Sequence, residues 1–450
     1  MRKIGKQTFL FEHKPCVIGN YSIVGPKEGK GNFAKYFHQI LSDDLFGQES
    51  YEKAERKLFL SAVLEALKEA GLQTTDIDVL IGGDLMNQII SSNFMARELQ
   101  APFLGVFGAC STMVESLIVG SCLIDGNGIN NVVCVTGSHF STAEKQFRYP
   151  LELGTQRPPT SQWTVTGAGA TILSSTQSDV KITRATIGKV VDWDVCDVNN
   201  MGGAMAPAAL ETLTTFFQDT NSKPSDYDLI LTGDLGKLGS EVLRDLMEYR
   251  GYKLESNYND CGQMIFSNNQ KVFQGGSGCG CVASILNSYV IKRLKSGELK
   301  RVLVVATGAL MSTISSQQGD SIPCIAHLIE LEGKNVWFSY VFKGVFNWWG
   351  NLYAWASSCY NHSNDKCKNF GYIPSAWCFL GMRWCFWANE SLCWEWSDSS
   401  NYGVWLQFGK RGNRGRAKSR AFGNFYWWTC GSGWRNCYCC YNGVFGVFNL

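Results

Sequence analysis

The sequence predicts a duplicated α/β body followed by a segment of a different character, and three observations carry that expectation. "DIDVLIGGDL" (76–85) and "DYDLILTGDL" (226–235) share one pattern: D-x-D, an apolar run, then G-D-L, with Asp84 and Asp234 in equivalent positions. A second block also recurs. "GACSTMVESL" leading to "INNVVCVTGSHFST" matches "GSGCGCVASIL" leading to "LKRVLVVATGALMST": a glycine-rich turn, a helix of small residues, then a strand. Repeated strand–helix–strand blocks imply a pseudo-symmetric architecture with mainly parallel sheets. Third, residue usage breaks at Gly333, beyond which lie 13 of the 15 tryptophans and nine of the 18 cysteines.

The elements follow in chain order. "LFGQESYEKAERKLFLSAVLEALKEAGL" has apolar residues at helical spacing, with Gly71 as its stop signal. "FLGVFG" is a strand that turns at Cys110 into a buried helix, and "TVTGAGATIL" closes the first half. A junction near Ser174 to Lys181 separates residues 1–175 from 176–332. In the second half, "DYDLILTGD" and "VLVVATG" are strands, and "IPCIAHLIE" is the last one, carrying His327 as a packed core residue.

The formal charge of +2 conceals a split. Beyond Gly333, 12 Lys/Arg face four Asp/Glu, which leaves the body mildly acidic and argues against nucleic acid as its partner. "MRKIGKQTFLFEHKPC" lacks the apolar core of a signal peptide, and no run of 18 apolar residues predicts a membrane span. The expected chain is soluble. Body cysteines occur singly or without a paired spacing, as buried thiols of a reducing compartment do.

In the tail, residues 333–450, no period persists through "NWWGNLYAWASSCYNHSNDKCKNF". A zinc or disulfide module would need paired Cys spacings that are absent, and "GKRGNRGRAKSR" reads as a solvated charge run before it reads as a nucleic-acid arm. The joint rise of Trp, Cys, Gly and Phe is what out-of-frame translation of a Val/Leu/Gly/Ala-rich coding region produces. The tail is therefore expected to be a poorly structured frameshift product without a domain.

Cys110 is the chemically pointed residue. A thiol at the start of a buried helix is placed where backbone N–H groups and the helix dipole lower its pKa, as a nucleophile requires. A small thiol packed in a core turn explains the same pattern equally well. His139, in "VTGSHFST", follows a strand expected to end near Cys110. "EKQFRYP" supplies Lys145 and Arg148 just beyond it. Asp84 and Asp234, at strand ends, are structural carboxylates or, less commonly, metal ligands. "GGSGCGC" lacks the Lys-Ser/Thr of a phosphate loop.

The duplicated halves, the A-C-S at a helix start and "TVTGAGATIL" resemble the thiolase superfamily, in particular its ketoacyl synthase III branch. "GKQTFLFEHKP", "SSNFMARELQAPFLGVFGACSTMVESL", "KQFRYPLELGTQRPPTSQWTVTGAGA" and "NNMGGAMAPAA" are more specifically similar to the stage V sporulation protein AD family, from Met1 to about Glu332. The resemblance implies a five-layer α/β/α/β/α fold. It also implies a sporulation role: binding of dipicolinic acid, assistance of its uptake into the spore, and association with membrane proteins of the same operon at the periphery of the spore inner membrane. Homodimerisation is an expectation from fold analogy alone. No cofactor is implied, although Ca²⁺ could travel with the ligand. The alternative is an acyltransferase using Cys110. Such enzymes need second-half His and Asn partners, in segments reading H-Q-A-N and G-N-T-S; here "TGDLG" and "GGSGCGC" stand in their places. Cys110 is then a vestigial nucleophile in a ligand pocket with His139, Asp84, Asp234, Lys145 and Arg148.

Overall fold

The structure, a computed structural model, describes residues 1–147 and 157–334, together with short strands between 392 and 449. The first half contributes strands β1 (Cys16–Val24), β2 (Val79–Gly83), β3 (Phe103–Gly105), β4 (Asn131–Ser138) and β5 (Gly167–Ser174). The second contributes β6 (Lys181–Thr186), β7 (Leu229–Thr232), β8 (Tyr258–Asp260), β9 (Arg301–Ala309) and β10 (Cys324–Glu332). Their order is β3-β2-β4-β5-β1 on one side and β6-β10-β9-β7-β8 on the other, so each strand of the first half has a counterpart five labels later. The two sets touch through one antiparallel pairing, Cys16 with Lys181, on the pseudo-twofold axis.

The expectation of mainly parallel sheets is corrected to mixed ones. β2 runs parallel to β3 and β4, as β7 does to β8 and β9. By contrast β4–β5, β5–β1, β9–β10 and β10–β6 are antiparallel. The reason is visible between β9 and β10: only residues 310–323 connect them, with no crossover helix long enough to return the chain for a parallel strand.

The helices are α1 (Tyr51–Ala70), α2 (Ile90–Leu99), α3 (Thr112–Asp125), α4 (Phe140–Phe147), α5 (Met201–Thr220), α6 (Gly236–Tyr249) and α7 (Cys279–Ile285). α1 starts where Ser50 Oγ accepts the Lys53 N–H at 3.3 Å, and it ends at Gly71, whose φ of 69° suits glycine. Alternation along the strands builds the layers. Val133 and Val135 of β4 face Leu58, Phe59 and Val63 of α1 and Met95 of α2. Val132 and Cys134 face the middle, where Met113 and Leu117 of α3 and Val282 and Ile285 of α7 meet Leu231, Val304 and Ile329 of the other sheet. Ile230, Leu303 and Val305 then pack outward on Leu213 and Phe216 of α5 and Leu243 of α6. The result is the expected five layers, α/β/α/β/α.

The repeated D-x-D has one duty in both halves. Asp78 Oδ2 accepts the N–H groups of Asn130 and Asn131 at 2.8 and 2.9 Å, and Asp228 Oδ2 those of Lys300 and Arg301 at 2.7 and 2.9 Å. Each aspartate thus fixes the start of the next parallel strand.

Burial raises the carboxyls of Glu28 and Glu55 to about 8 and that of Asp260 to about 7. Because these folded-state pKa values exceed the unfolded ones, the native chain holds more protons than the unfolded chain as pH rises through this range. The carboxyls' contribution to stability is present at low pH and is lost up to about pH 8. His327 opposes this only below its ordinary pKa of 6.5, since burial lowers it to about 4. Thermal melts should therefore show stability falling between pH 6.5 and 8, and Glu28→Gln should flatten that fall. A melting temperature that rises across the same interval would contradict the buried, protonated state.

The chain divides into two compact units, residues 1–343 and 344–450. In the second, Leu392–Ser399 pairs antiparallel with Gly403–Lys410, and four further strands from Ser419 to Asn449 form an antiparallel sheet. The side chains that bear on whether the tail has a packed core, and the stretch "NWWGNLYAWASSCYNHSNDKCKNF", lie outside the described residues.

Candidate ligand chamber at Cys110

Cys110 sits in a tight turn, Ala109–Ser111, that leads from β3 into α3. Ala109 has a φ of 50°, a left-handed conformation that strains a non-glycine residue beside the thiol. The turn is locked by Ser111 Oγ donating to Gly108 O at 2.7 Å and by Thr112 Oγ1 donating to Ala109 O at 2.6 Å. The Ser111 and Thr112 N–H groups are also engaged, with Gly108 O and Ala109 O. The turn therefore uses these donors itself.

Asp234 is the neighbour whose charge acts on the buried Cys110 thiol. Asp234 Oδ1 accepts from Thr307 Oγ1 at 2.7 Å, and its Oδ2 from Ser277 Oγ at 3.1 Å and Gly278 N at 3.2 Å. Gly278 has a φ of 95°, and a Cβ there would stand 2.8 Å from Ser138 Oγ, so only glycine fits between α7 and β4. Burial first, and then the Asp234 charge, push the Cys110 thiol well above its ordinary pKa. This corrects the expectation of a lowered value: desolvation and a neighbouring carboxylate outweigh the helix dipole. Asp234 is itself raised by burial.

A chamber of about 60 Å³ opens beside the thiol, lined by Ala109, Cys110, Ala143, Glu144, Gln162, Thr164, Val198, Asn199, Met201, Ser277 and Ala309. Leu85, Phe107, Phe147 and Met311 separate it from a wider vestibule of about 400 Å³. The vestibule has the size of a small-ligand site, and the chamber alone is smaller. Gln162 Nε2 donates to Asp234 O at 2.6 Å and Gly276 O at 3.0 Å, which fixes the amide orientation. Its buried Oε1 then has no partner among the described residues.

Of the described residues expected in this pocket, Cys110 and Asp234 come together, and His139, Asp84 and Lys145 do not. His139 is fully buried but faces away: its Nε2 meets Asp44 O at 2.8 Å, its Nδ1 accepts the Ser141 N–H at 3.1 Å, and its ring lies against Tyr51. The helix it precedes turns Ala143, Glu144 and Phe147 toward the chamber instead. Asp84 holds the start of α2 through Met86 N, Ser92 N and Ser92 Oγ at 2.8–2.9 Å. Lys145 is exposed and paired with Glu52 at 3.1 Å. Arg148 lies outside the described residues. His327 is in β10, where its Nδ1 accepts the Gly188 N–H at 3.2 Å, away from the chamber lining. Gln162, Asn199 and Met201 were not anticipated. Gln162 and Asn199 sit on irregular segments whose periodicity says nothing, and Met201 opens a helix that the sequence reading had not assigned to the site.

Comparison with known proteins agrees with this architecture. The sequence model of the family described as stage V sporulation protein AD (SpoVAD) matches residues 5–332. The stage V sporulation protein AD of Bacillus subtilis (strain 168) is 46% identical over 332 residues, 74% of this chain and 98% of that protein. The chain belongs to the stage V sporulation protein AD family. Among solved structures, cerulenin-bound OleA of Xanthomonas campestris is 13% identical over 72% of this chain and 98% of that one, with a TM-score of 0.50. The 3-oxoacyl-[acyl-carrier-protein] synthase III of Aquifex aeolicus VF5 is 12% identical over 71% and 99%, with a TM-score of 0.46. The likeness to OleA shows a thiolase-like fold. Within that fold, this chain keeps the buried Asp234 as the charged neighbour of Cys110. No described helix is long and apolar enough to cross a membrane.

Proposed function

We propose that this sporulation protein binds dipicolinic acid at the Cys110 chamber and assists its uptake into the developing spore, without acyl-transfer chemistry. The observation that carries the reading is the Cys110–Asp234 pair. A condensing enzyme needs a thiolate with a base and an oxyanion donor beside it. Here burial and the neighbouring Asp234 push the thiol's pKa well up, which keeps it protonated. What remains is a recognition site: apolar walls for an aromatic ring, and Asn199, Thr164 and Gln162 for its polar edge.

The charge of the lining shapes the ligand's form. Glu144 lines the chamber, so a dianion would enter more readily with a cation beside it. The unpartnered Gln162 Oε1 wants a donor or a cation. Both features favour dipicolinate accompanied by Ca²⁺. Arg148, which follows the chamber-lining Phe147 in sequence, is the proposed counter-charge for its second carboxylate. Among the described residues no cluster of three or more His, Cys, Asp or Glu is disposed to hold a metal, so the ion would arrive with the ligand. Delivery at the spore inner membrane through membrane proteins of the same operon, a dimeric state, and an out-of-frame origin of the tail complete the proposal.

Calorimetric titration of dipicolinate, with and without Ca²⁺, tests it. Saturable binding is expected, tighter with Ca²⁺, about tenfold weaker in Gln162→Met, and unchanged in a chain ending at Glu332. Absence of heat under both conditions would overturn the ligand assignment. Covalent capture of an acyl group on Cys110 would instead establish the acyltransferase reading.

A further inference from the structure

Between β6 and α5 the chain runs as an irregular strap, residues 187–200, across the outside of the second sheet. Its inner side is anchored. Val191 pairs with Cys324, Val195 O accepts the Ile322 N–H at 2.9 Å, and Val191, Val195 and Val198 pack on the outer core. Its outer side carries Ile187, Val190 and Trp193, which remain 42%, 56% and 51% exposed. Spacing explains the division: the residues that face the core leave these three outside. Three large apolar side chains exposed within one seven-residue stretch mark an interaction surface more often than scattered single ones do.

Toward Trp193 this surface is acidic. Asp192, Asp194 and Asp197 lie on the strap, with Asp320 next to Ser321, whose Oγ donates to Asp192 Oδ2 at 2.6 Å. Asp192 Oδ1 and Asp197 Oδ1 also accept nearby backbone N–H groups, from Asp194 and Asn199. Among the described residues none of these four carboxylates has a basic partner within 4.0 Å, and Lys189 is the strap's only cation. We propose that the strap is a docking face for a partner protein's segment in which lysine or arginine flanks an apolar anchor. The apolar trio supplies a central contact, the carboxylates supply steering and orientation, and the partner's cations complete their charge. Membrane proteins concentrate such sequences where their spans emerge on the cytoplasmic side. The same strap carries Val198 and Asn199 of the chamber wall, so the docking face and the cavity share one piece of backbone.

Fluorescence anisotropy of the full-length chain with a labelled, alternating lysine–leucine peptide tests the assignment, with a glutamate–leucine peptide as its charge reversal. The lysine peptide should bind at least tenfold more tightly than the glutamate peptide at low salt. Val190→Ser/Trp193→Ser should weaken it about tenfold, and Asp194→Asn about threefold with a shallower salt dependence. Tyr249→Ser, at another strongly exposed apolar residue, should change nothing. All substitutions are at exposed positions, and circular dichroism verifies the fold. Equal binding by wild type and the double variant, or equal binding of both peptides, would overturn the proposal. So would a dimer-to-monomer change in the double variant by sedimentation, since the strap would then serve a second copy of the chain.

Discussion

Asp234→Ala should destabilise the body by about 3 kcal/mol and abolish ligand binding at the chamber. The substitution leaves Thr307 Oγ1, Ser277 Oγ and Gly278 N without their acceptor in a dry interior, and each orphaned donor costs on the order of 1–3 kcal/mol. Part of that loss is offset, because an aspartate whose pKa burial has raised was itself costly to bury. Asp234→Asn should recover little, since an amide offers one acceptor oxygen where the carboxylate uses two. The Cys110 thiol should respond in the opposite sense. Without the neighbouring charge its pKa falls, so alkylation of the peptide containing Cys110, read by mass spectrometry, should quicken. Asp84→Ala is the comparison: it removes a cap on α2, costs about 1–2 kcal/mol, and leaves Cys110 reactivity unchanged. Equal thiol reactivity in wild type and Asp234→Ala would sever the pair on which the chamber is built.

Gly308→Ala should cost about 3 kcal/mol, at the upper end of overpacking. A Cβ at Gly308 in β9 would stand 2.1 Å from Gly108 O and 3.2 Å from Ser111 N. Both are backbone atoms of the turn that carries Cys110, so no side chain can swing aside. The second sheet must move away from the Cys110 turn, widening the gap to Asp234 and Ser277. Denaturant unfolding reads the stability, and calorimetry should show ligand affinity falling with it. Gly128→Ala, where nothing lies within 4 Å, should alter neither. Normal stability in Gly308→Ala would mean that the two halves are not in the close register described.

Much of the fold was legible in the sequence because duplication writes itself twice. The D-x-D of each half recurs for a local reason, to cap the next strand, and the same reason operates at Asp78 and Asp228. The helix ending at Gly71 was equally legible, since its stop is set by the conformation of one residue. Strand direction was less so. Alternating strands and helices suggest parallel sheets, yet the short connection between β9 and β10 forces an antiparallel return.

The site divides along the same line. Sequence alone marked Cys110 and Asp234, and it marked the absence of a histidine from the segments where a condensing enzyme keeps one. It also made Asp84 and Asp234 look alike. Tertiary structure separated them. Asp84 caps a helix that begins six residues further on in its own half, whereas Asp234 crosses the middle layer to Ser277 and Gly278 and acts on Cys110. His139 is close to the thiol in neither sense, because the helix it precedes rotates the next turn, not the histidine, into the cavity. The direction of the Cys110 pKa shift depended wholly on this packing. A helix start lowers a thiol's pKa only while water or cations surround it, and here the fold surrounds it with apolar walls and a carboxylate. Local sequence determined which elements form and where they end. Contacts between residues more than a hundred positions apart decided what the chamber can do, because only the closed fold sets the dielectric and the neighbours of each charge.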